Sequence, residues 1–265
     1  MAADNSVQGR LALITGASGG HVSTASEHVS ELPCARQLAS HGINLALTYS
    51  SNETSVSELA AQLRKQYANQ YKLKVSVHKA DLASSEETSK LCEEVAKDHG
   101  RAVDILVSNA GYGKRIRDVW EIPLDEFDRM VQINLRAPFL LVKGVVEGMK
   151  AQHWGRIIFI SSIAAYGAGI NGCHYAASKG GSIGMMKNLS SRLVEFGITV
   201  NDVAPAMIGN TGMLPSINSL NGTATELPLG RLGEPEEVAN VVDMFCKTGY
   251  ATGQSVILAG GINHK

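Results

Sequence analysis

Short apolar runs alternate along the chain with longer segments of mixed polarity. The apolar runs predict strands at 11–15, 43–49, 74–78, 104–108, 156–161, 199–203 and 255–258. Segments 55–71, 86–99, 124–150 and 176–196 instead repeat apolar residues at helical spacing. Strands of this kind separated by helices are typical of a parallel sheet covered on both faces. Right-handed crossovers then favour a doubly wound, Rossmann-type α/β fold.

Length and composition fit one α/β domain over residues 1–265. The chain is 44% hydrophobic and 18% charged, and we see neither an internal repeat nor a linker in it. Segment 207–229 is rich in Gly, Asn, Ser and Thr. In a doubly wound fold it is predicted to lie over the carboxyl ends of the strands, where ligands bind.

Charge and cysteine usage narrow the classes of function. The net charge of −1 argues against a nucleic-acid or anionic-membrane partner. The first ten residues are polar, and no apolar run is long enough to span a bilayer. Cysteines 34, 92, 173 and 246 are scattered without metal-ligand spacing, so we expect no metal site and reduced, buried thiols. These features predict a cytoplasmic protein.

The first predicted strand runs into a glycine-rich turn, Thr15-Gly16-Ala17-Ser18-Gly19-Gly20. Glycines after a first strand let the backbone approach a pyrophosphate, whose charge is met by N–H groups and a helix terminus. The alternative is an ordinary tight turn. A helix should follow at once, but the polar segment 21–33 intervenes before the helical residues 34–39. Capping-box spacing and Pro33 predict a short extra helix at about 25–32 within this insertion.

Tyr175 and Lys179 stand four residues apart and would share one face of a helix. A phenol ionises near pKa 10, and a neighbouring ammonium brings that pKa closer to neutral, as acid–base catalysis requires. The alternative is an exposed helix pair. Ser162 ends an apolar strand, where its hydroxyl would polarise a substrate carbonyl. Asn134 follows a helical stretch, where its amide would hold a water behind the lysine or only make a local backbone bond.

These signals occur in an order that resembles the short-chain dehydrogenase/reductase family over nearly the whole chain, and within it the 3-oxoacyl-carrier-protein reductases. The residues that carry the resemblance are Thr15 to Gly20, Asp81-Leu82, Asn109-Ala110-Gly111, Asn134, Ser162, Tyr175, Lys179, Pro205, Thr211 and the run 228–235. The resemblance implies an NAD(P)-dependent oxidoreductase in which Tyr175 gives a proton to a carbonyl oxygen as hydride arrives from the nicotinamide. It further implies that Lys179 holds the nicotinamide ribose, Ser162 polarises the carbonyl and Asn134 positions a relay water.

The resemblance also assigns the cofactor-binding residues. They are Gly16, Ser18, Gly19, Gly20, Ser50, Asp81, Leu82, Asn109, Ala110, Gly111, Tyr175, Lys179, Ile208 and Thr211. For Asp81 the alternative is a capping role, and for 109–111 a plain turn. The second strand ends in Tyr49-Ser50-Ser51-Asn52, without the acid that binds the 2′-hydroxyl in NAD-type sites. The sequence therefore favours NADPH over NADH.

Three departures from the family pattern leave alternatives open. His21, Val22 and Ser23 stand where an aliphatic residue, a third glycine and often a basic residue are usual. Either the longer loop still folds back with a weaker phosphate grip, or the site is damaged, as in a catalytically impaired protein or a chain assembled with misplaced exon boundaries. His153 and Phe196 replace the basic residues that dock an acidic carrier protein, which favours a freestanding ketone or small acyl thioester. Ala206 replaces a glycine after Pro205.

The resemblance also implies a homotetramer, because family members pair the helices predicted at 124–150 and 176–196. The alternative for their apolar residues is packing on the core alone. The rival functions are a cofactor-binding protein without turnover, such as a sensor, and an alcohol dehydrogenase that works mainly in the oxidative direction.

Overall fold

Seven parallel strands form one sheet in the computed structural model, which describes residues 4–17, 33–167, 171–209, 211 and 227–262. The strands are β1 (Leu11–Ile14), β2 (Asn44–Tyr49), β3 (Val75–Lys79), β4 (Ile105–Ser108), β5 (Gly155–Ile160), β6 (Ile198–Pro205) and β7 (Ser255–Leu258). Their order across the sheet is β3-β2-β1-β4-β5-β6-β7. The predicted Rossmann-type fold is therefore confirmed.

Helices connect the strands and cover the sheet. In the described residues they are α1 (Pro33–Ser40), α2 (Glu53–Tyr67), α3 (Ser85–His99), α4 (Leu124–Val131), α5 (Ala137–Ala151), α6 (Cys173–Leu193) and α7 (Pro235–Lys247). Two buried apolar clusters lie on opposite faces of the sheet. One joins β1 and β2 to α1, α2 and α7, and the other joins β4, β5 and β6 to α3, α5 and α6. This layering explains why the strands are apolar on both faces.

The strand order reverses between β1 and β4. β1 pairs with β2 on one side and with β4 on the other, and the chain winds outward from this point in both directions. The loops that leave β1 and β4 therefore diverge and open a crevice at the carboxyl edge, the usual ligand site of such sheets.

The structure corrects three helix predictions. Segment 124–150 is not one helix, because a π-helical turn at Gln132–Arg136 separates α4 from α5. α6 begins at Cys173, three residues before its predicted start at 176, so that Tyr175 and Lys179 lie in the same helix. α7 was missed, although its start carries a clear signal: a capping box between Glu234 and Glu237, followed by Pro235 in the first turn.

The cysteine prediction needs one correction. Cys34, Cys92 and Cys246 are free and buried, whereas Cys173 is free but exposed at the start of α6. In the described ranges, no helix is long and apolar enough to cross a membrane. Those ranges also hold no cluster of three metal-ligating side chains. The helix predicted at about 25–32 lies outside the described residues.

Candidate active site

The ends of β1 and β4 are joined by side-chain hydrogen bonds at the point where the sheet reverses. The Thr15 hydroxyl oxygen accepts hydrogen bonds from the backbone N–H groups of Asn109 and Ala110, both at 3.1 Å. The Asn109 side chain donates back to the Thr15 carbonyl at 3.0 Å. Asn109 therefore fixes one wall of the crevice, and its amide nitrogen is used within the protein.

Gly16 brings the backbone of the first turn close to the β4 loop. Its φ of +72° is a conformation that L side chains rarely adopt, and a Cβ there would lie 2.8 Å from the Ala110 Cα. The Gly16 N–H donates to the Thr48 hydroxyl at 3.1 Å, and the Ala17 N–H donates to the Thr48 carbonyl at 2.8 Å. A turn held this way leaves only backbone at the crevice floor, which fits the close approach of a dinucleotide.

Tyr175 lies in the first turns of α6 and is only 4% exposed. Burial raises the pKa of its phenol, and a hydrogen bond with the Ser162 side chain opposes that shift. Ser162 follows β5 in extended conformation, and its oxygen accepts a hydrogen bond from the Ala164 N–H at 3.2 Å. The strand end and the helix start thus bring two hydroxyl groups to one point, as the sequence predicted.

Lys179 lies one turn further along α6 and is 5% exposed. Its ammonium lies 5.9 Å from the centre of the Tyr175 ring and donates to the Ile160 carbonyl at 2.9 Å. Burial lowers the pKa of Lys179 to about 8, while the negative charge of Asp202 opposes that shift. The Tyr175–Lys179 pair is therefore buried at the crevice, and the alternative of an exposed helix pair is wrong.

Asn134 takes a role other than the one its position in the sequence suggested. It lies in the π-helical turn, and its side-chain nitrogen donates to the Tyr112 carbonyl at 2.8 Å and to the Ser178 hydroxyl at 3.1 Å. Its side-chain oxygen accepts from the Tyr112 N–H at 2.8 Å. Because protein groups bond both polar atoms, the amide clamps the loop after β4 to α6. The bond to Tyr112 is also long-range, unlike the local bond considered as the alternative.

The end of β2 carries both a hydroxyl and an acid. Ser50 directly follows the strand and is half-buried. The buried Tyr49 is hydrogen-bonded to the Glu53 carboxylate in the first turn of α2. The sequence analysis missed this acid because it lies past the strand end and reaches back through the helix start.

The loop after β3 carries Asp81 and Leu82, two of the residues assigned to cofactor binding. Asp81 is exposed, but its side chain accepts from the Ala83 N–H at 2.9 Å, a turn that leads into α3. Leu82 is 7% exposed and packs in the core cluster beside α3. Asp81 therefore lies in the turn before α3, whereas the capping role considered for it belongs to Ser84.

The other cofactor-site candidates fall into two groups. Ala110 and Gly111 are half-buried on the β4 loop, and Ala110 lies against Gly16 of the first turn. Ile208 bridges to Gly233, and the Thr211 hydroxyl donates to the Ile208 carbonyl at 3.2 Å, which orders the start of the segment after β6. Ser18, Gly19 and Gly20 lie outside the described residues, as does most of segment 207–229.

Sequence reasoning missed several residues that hold the site together. Thr48 fixes the first turn, Ser178 joins Asn134 to α6, and Asp202 acts on Lys179. Asp202 is the only one with a sequence signal, because it is an acid inside an apolar strand.

A family model and curated relatives match this chain over nearly its whole length. Residues 32–263 match the family model described as enoyl-(acyl carrier protein) reductase. The 3-oxoacyl-(acyl-carrier-protein) reductase FabG of Rickettsia felis is 34% identical over 263 residues, covering 96% of this chain and 97% of that protein. The FabG of Aquifex aeolicus is 32% identical, covering 97% of this chain and 98% of that protein.

Solved structures show the same architecture. A short-chain dehydrogenase/reductase from Serratia marcescens aligns with a TM-score of 0.83 at 29% identity, covering 97% of this chain and 98% of that one. The NADPH-dependent 3-quinuclidinone reductase from Rhodotorula rubra aligns with a TM-score of 0.85 at 26% identity, covering 97% of this chain and 92% of that one.

The chain belongs to the short-chain dehydrogenase/reductase family. It is an oxidoreductase of the type that interconverts carbonyls and alcohols with a nicotinamide cofactor. The hypothesis of a vestigial, non-catalytic member finds no support in these comparisons.

Proposed function

We propose that this protein is an NADPH-dependent reductase of a ketone or 3-oxoacyl-type carbonyl, with Tyr175 as the proton donor. The observation that carries the proposal is the convergence of Tyr175, Ser162 and Lys179 at the carboxyl end of β5. A buried phenol with a raised pKa remains protonated at neutral pH, which is the state a proton donor needs.

The bound nicotinamide would supply hydride to the carbonyl carbon. The Ser162 hydroxyl donates a hydrogen bond to the carbonyl oxygen and polarises it. Tyr175 then transfers its proton to that oxygen, which becomes the alcohol, and the electron pair of the O–H bond stays on the phenol oxygen as phenolate. The Lys179 ammonium stabilises that charge in a site with little water to screen it. Asn134 keeps α6 in place relative to the loop after β4.

The residues present fit a dinucleotide, and the end of β2 favours the phosphorylated form. Gly16 leaves bare backbone beside Ala110, and Ser50 offers a hydroxyl where a 2′-phosphate would lie. The Glu53 carboxylate is hydrogen-bonded to the buried Tyr49. The NADPH-dependent relative from Rhodotorula rubra supports the same choice. Contacts to the pyrophosphate from Ser18, Gly19, Gly20 and Thr211, and to the carboxamide from Ile208, belong to the same proposal.

We propose a freestanding ketone or small acyl thioester as substrate rather than a carrier-bound chain. Phe196 occupies one of the expected docking positions, and the nearby Lys150 contacts its ring at 5.1 Å. Lys150 is also paired with Glu147 at 3.0 Å, which reduces the positive charge available to an acidic carrier. His153, at the other position, has a φ of 51° in the turn that precedes β5.

The family resemblance and the exposed apolar side chains support a homotetramer built on one catalytic domain. Trp120 in the 3₁₀ helix Val119–Glu121 and Leu124 at the start of α4 are 81% and 82% exposed, and Phe139 on α5 is 53% exposed. Size-exclusion chromatography with light scattering tests this assembly, and a stable monomer at micromolar concentration would contradict it.

The test of the function is an NADPH-consumption screen over ketones, coenzyme A thioesters and carrier-protein thioesters, with NADH in parallel. We expect turnover of at least one ketone or small thioester and a lower KM for NADPH than for NADH. Absence of turnover across the panel, with no fluorescence change on adding millimolar NADPH, would overturn the proposal. Saturable binding to the carrier protein alone would overturn the substrate assignment.

A further inference from the structure

Four polar side chains near Lys179 are linked by hydrogen bonds and take no part in the mechanism proposed above. Ser161 directly follows β5, Asp202 lies within β6, Ser255 begins β7, and Tyr166 ends a short 3₁₀ helix at Ile163–Tyr166. Asp202 is 0% exposed. An acid buried in the middle of a strand carries a large desolvation cost, so its surroundings must offset the charge.

Two hydroxyl groups are directed at one oxygen of Asp202. Its Oδ2 accepts hydrogen bonds from Ser161 at 2.8 Å and from Ser255 at 2.5 Å. The Tyr166 hydroxyl donates to the Ser255 oxygen at 2.7 Å, so the Ser255 proton is left for Asp202. Burial raises the pKa of Asp202, and these two hydrogen bonds together with the positive charge of Lys179 oppose that shift, so that both favour the ionised carboxylate.

The second oxygen of Asp202 points to a different kind of partner. Its Oδ1 is buried and has no hydrogen-bond partner in the described part of the chain. A buried carboxylate with one unbonded oxygen is stable only where a positive charge lies near it. The cation that acts on Asp202 is Lys179.

The end of β5 brings these two charges to the same place, because Lys179 donates to the Ile160 carbonyl and the next residue, Ser161, donates to Asp202. Side chains alternate along β6, so Asp202 shares a face with Val200, which belongs to the same apolar cluster as Met186 and Leu193 of α6. Lys179 comes from the same helix. The titratable groups that face Asp202 are thus Lys179 of α6 and Tyr166 of the 3₁₀ helix, while β5 and β7 contribute the two serine hydroxyls.

We propose that Asp202 is a positioning residue for the carbonyl reduction, because its buried carboxylate is the counter-charge that keeps Lys179 protonated beside Tyr175. The inference rests on the proposed function and adds a residue to it. Asp202 acts through Lys179 rather than on the substrate. The charge of Asp202 opposes the effect of burial on the Lys179 pKa, so without that charge the ammonium loses its proton closer to neutral pH.

The test compares Asp202→Asn with the wild type across pH. Asparagine keeps an oxygen for the two serine hydroxyls and removes only the charge. Its matched control is Asp243→Asn, a buried carboxylate on α7 whose partners are His41 and Lys247. Two readouts are taken: kcat for NADPH-dependent reduction, and the pH titration of the Lys179 ¹³Cε signal, assigned by its loss in Lys179→Met.

We expect Asp202→Asn to move the alkaline fall of kcat to lower pH and to lower the pKa seen at Lys179. At pH 8 kcat should drop by about three- to tenfold, and at pH 6 by less than about twofold. Asp243→Asn should leave both readouts in place. An equal fall of kcat at every pH, or an unchanged Lys179 titration, would overturn the proposal and leave Asp202 a structural residue.

Two further outcomes are kept distinct. If the wild type reduces no carbonyl, the proposed function fails, and the NMR titration alone decides whether Asp202 holds the Lys179 proton. If Asp202→Asn does not fold, Asp202→Thr takes its place, because threonine also removes the charge and keeps a hydroxyl for the two serines. The pKa of Lys179 should then fall in the same direction, and no change would overturn the proposal.

Discussion

The polar groups at the carboxyl end of β5 are buried, whereas those at the carboxyl end of β2 are partly exposed to solvent. Around β5, Tyr175 and Lys179 are buried and their polar atoms are fixed by neighbouring strands and helices. Around β2, Ser50 is half-buried and the next two residues are exposed. A buried polar group gains strength from its low-dielectric surroundings, whereas an exposed one is screened by water. We therefore expect substitutions near β5 to change kcat and substitutions near β2 to change the KM for the cofactor.

The largest effect should come from Tyr175→Phe, which tests the β5 side. Removing the proton donor while keeping the ring should lower kcat by about 10²- to 10⁴-fold with little change in NADPH affinity. Steady-state reduction and NADPH fluorescence titration measure the two quantities. Tyr250→Phe, at a fully exposed tyrosine, is the control and should behave as wild type. Comparable activity in both variants would remove Tyr175 from the mechanism.

Ser50→Asp tests the β2 side. A carboxylate at this position repels a 2′-phosphate, so the KM for NADPH should rise by about 10- to 100-fold while kcat and the KM for NADH change little. Ser57→Asp, at an exposed site on α2, is the control for added charge. A loss of kcat in Ser50→Asp with an unchanged KM for NADPH would contradict the expectation that residues near β2 affect cofactor binding and residues near β5 affect kcat.

Asn134→Ala examines the clamp that joins the two sides of the crevice. The variant leaves the Tyr112 N–H and carbonyl without their partner, at a cost of about 1–3 kcal/mol in the free energy of unfolding. We expect kcat to fall by about tenfold because α6 is no longer held in position relative to the loop after β4. Thermal unfolding and kinetics measure these effects, and Asn188→Ala on the exposed face of α6 is the control. Wild-type kinetics in a destabilised Asn134→Ala would show that the Asn134 side chain contributes to stability but not to catalysis.

Gly16→Ala tests whether the close approach of the first turn to the β4 loop matters for cofactor binding. Both Gly16 and Gly9 have positive φ, but an added Cβ meets the Ala110 backbone only at Gly16. Gly9→Ala should therefore cost about 1 kcal/mol of stability, and Gly16→Ala should cost more and also raise the KM for NADPH. Chemical denaturation and cofactor titration provide the readouts. Equal stability losses with unchanged cofactor binding would show that the close approach has no functional role.

The smallest expected effect is a pH dependence of the wild type. Burial lowers the pKa of Lys179 to about 8, so its ammonium is present below that pH and is lost above it. Reduction should therefore decline by a few-fold as pH rises from about 7 to 8.5, with the decline in kcat rather than in the KM for NADPH. A flat kcat over this range would separate Lys179 from the proton transfer.

The sheet and the Tyr175–Lys179 pair could be predicted from the sequence because both leave local signals in it. Apolar runs locate all seven strands within a residue or two, and the spacing of Tyr175 and Lys179 marks a shared helical face. The role of Asn134 could not be predicted, because its partner Tyr112 lies 22 residues away and is reached only through the π-helical turn. Asp202 was missed as a functional residue for the same reason, because it acts on Lys179, which lies on another element. Glu53 is close to Tyr49 in the chain, but its bond forms only once the start of α2 folds back onto the end of β2.

The most direct measurement follows the hydrogen itself. NADPH that carries deuterium at both C4 positions of the nicotinamide is incubated with the enzyme and a ketone that the screen finds to be reduced, and the product alcohol is examined by NMR and mass spectrometry. The account predicts one deuterium on the carbinol carbon of the product, at a rate that collapses in Tyr175→Phe. Product that carries no deuterium, or equal labelling rates with and without the phenolic hydroxyl, would contradict it.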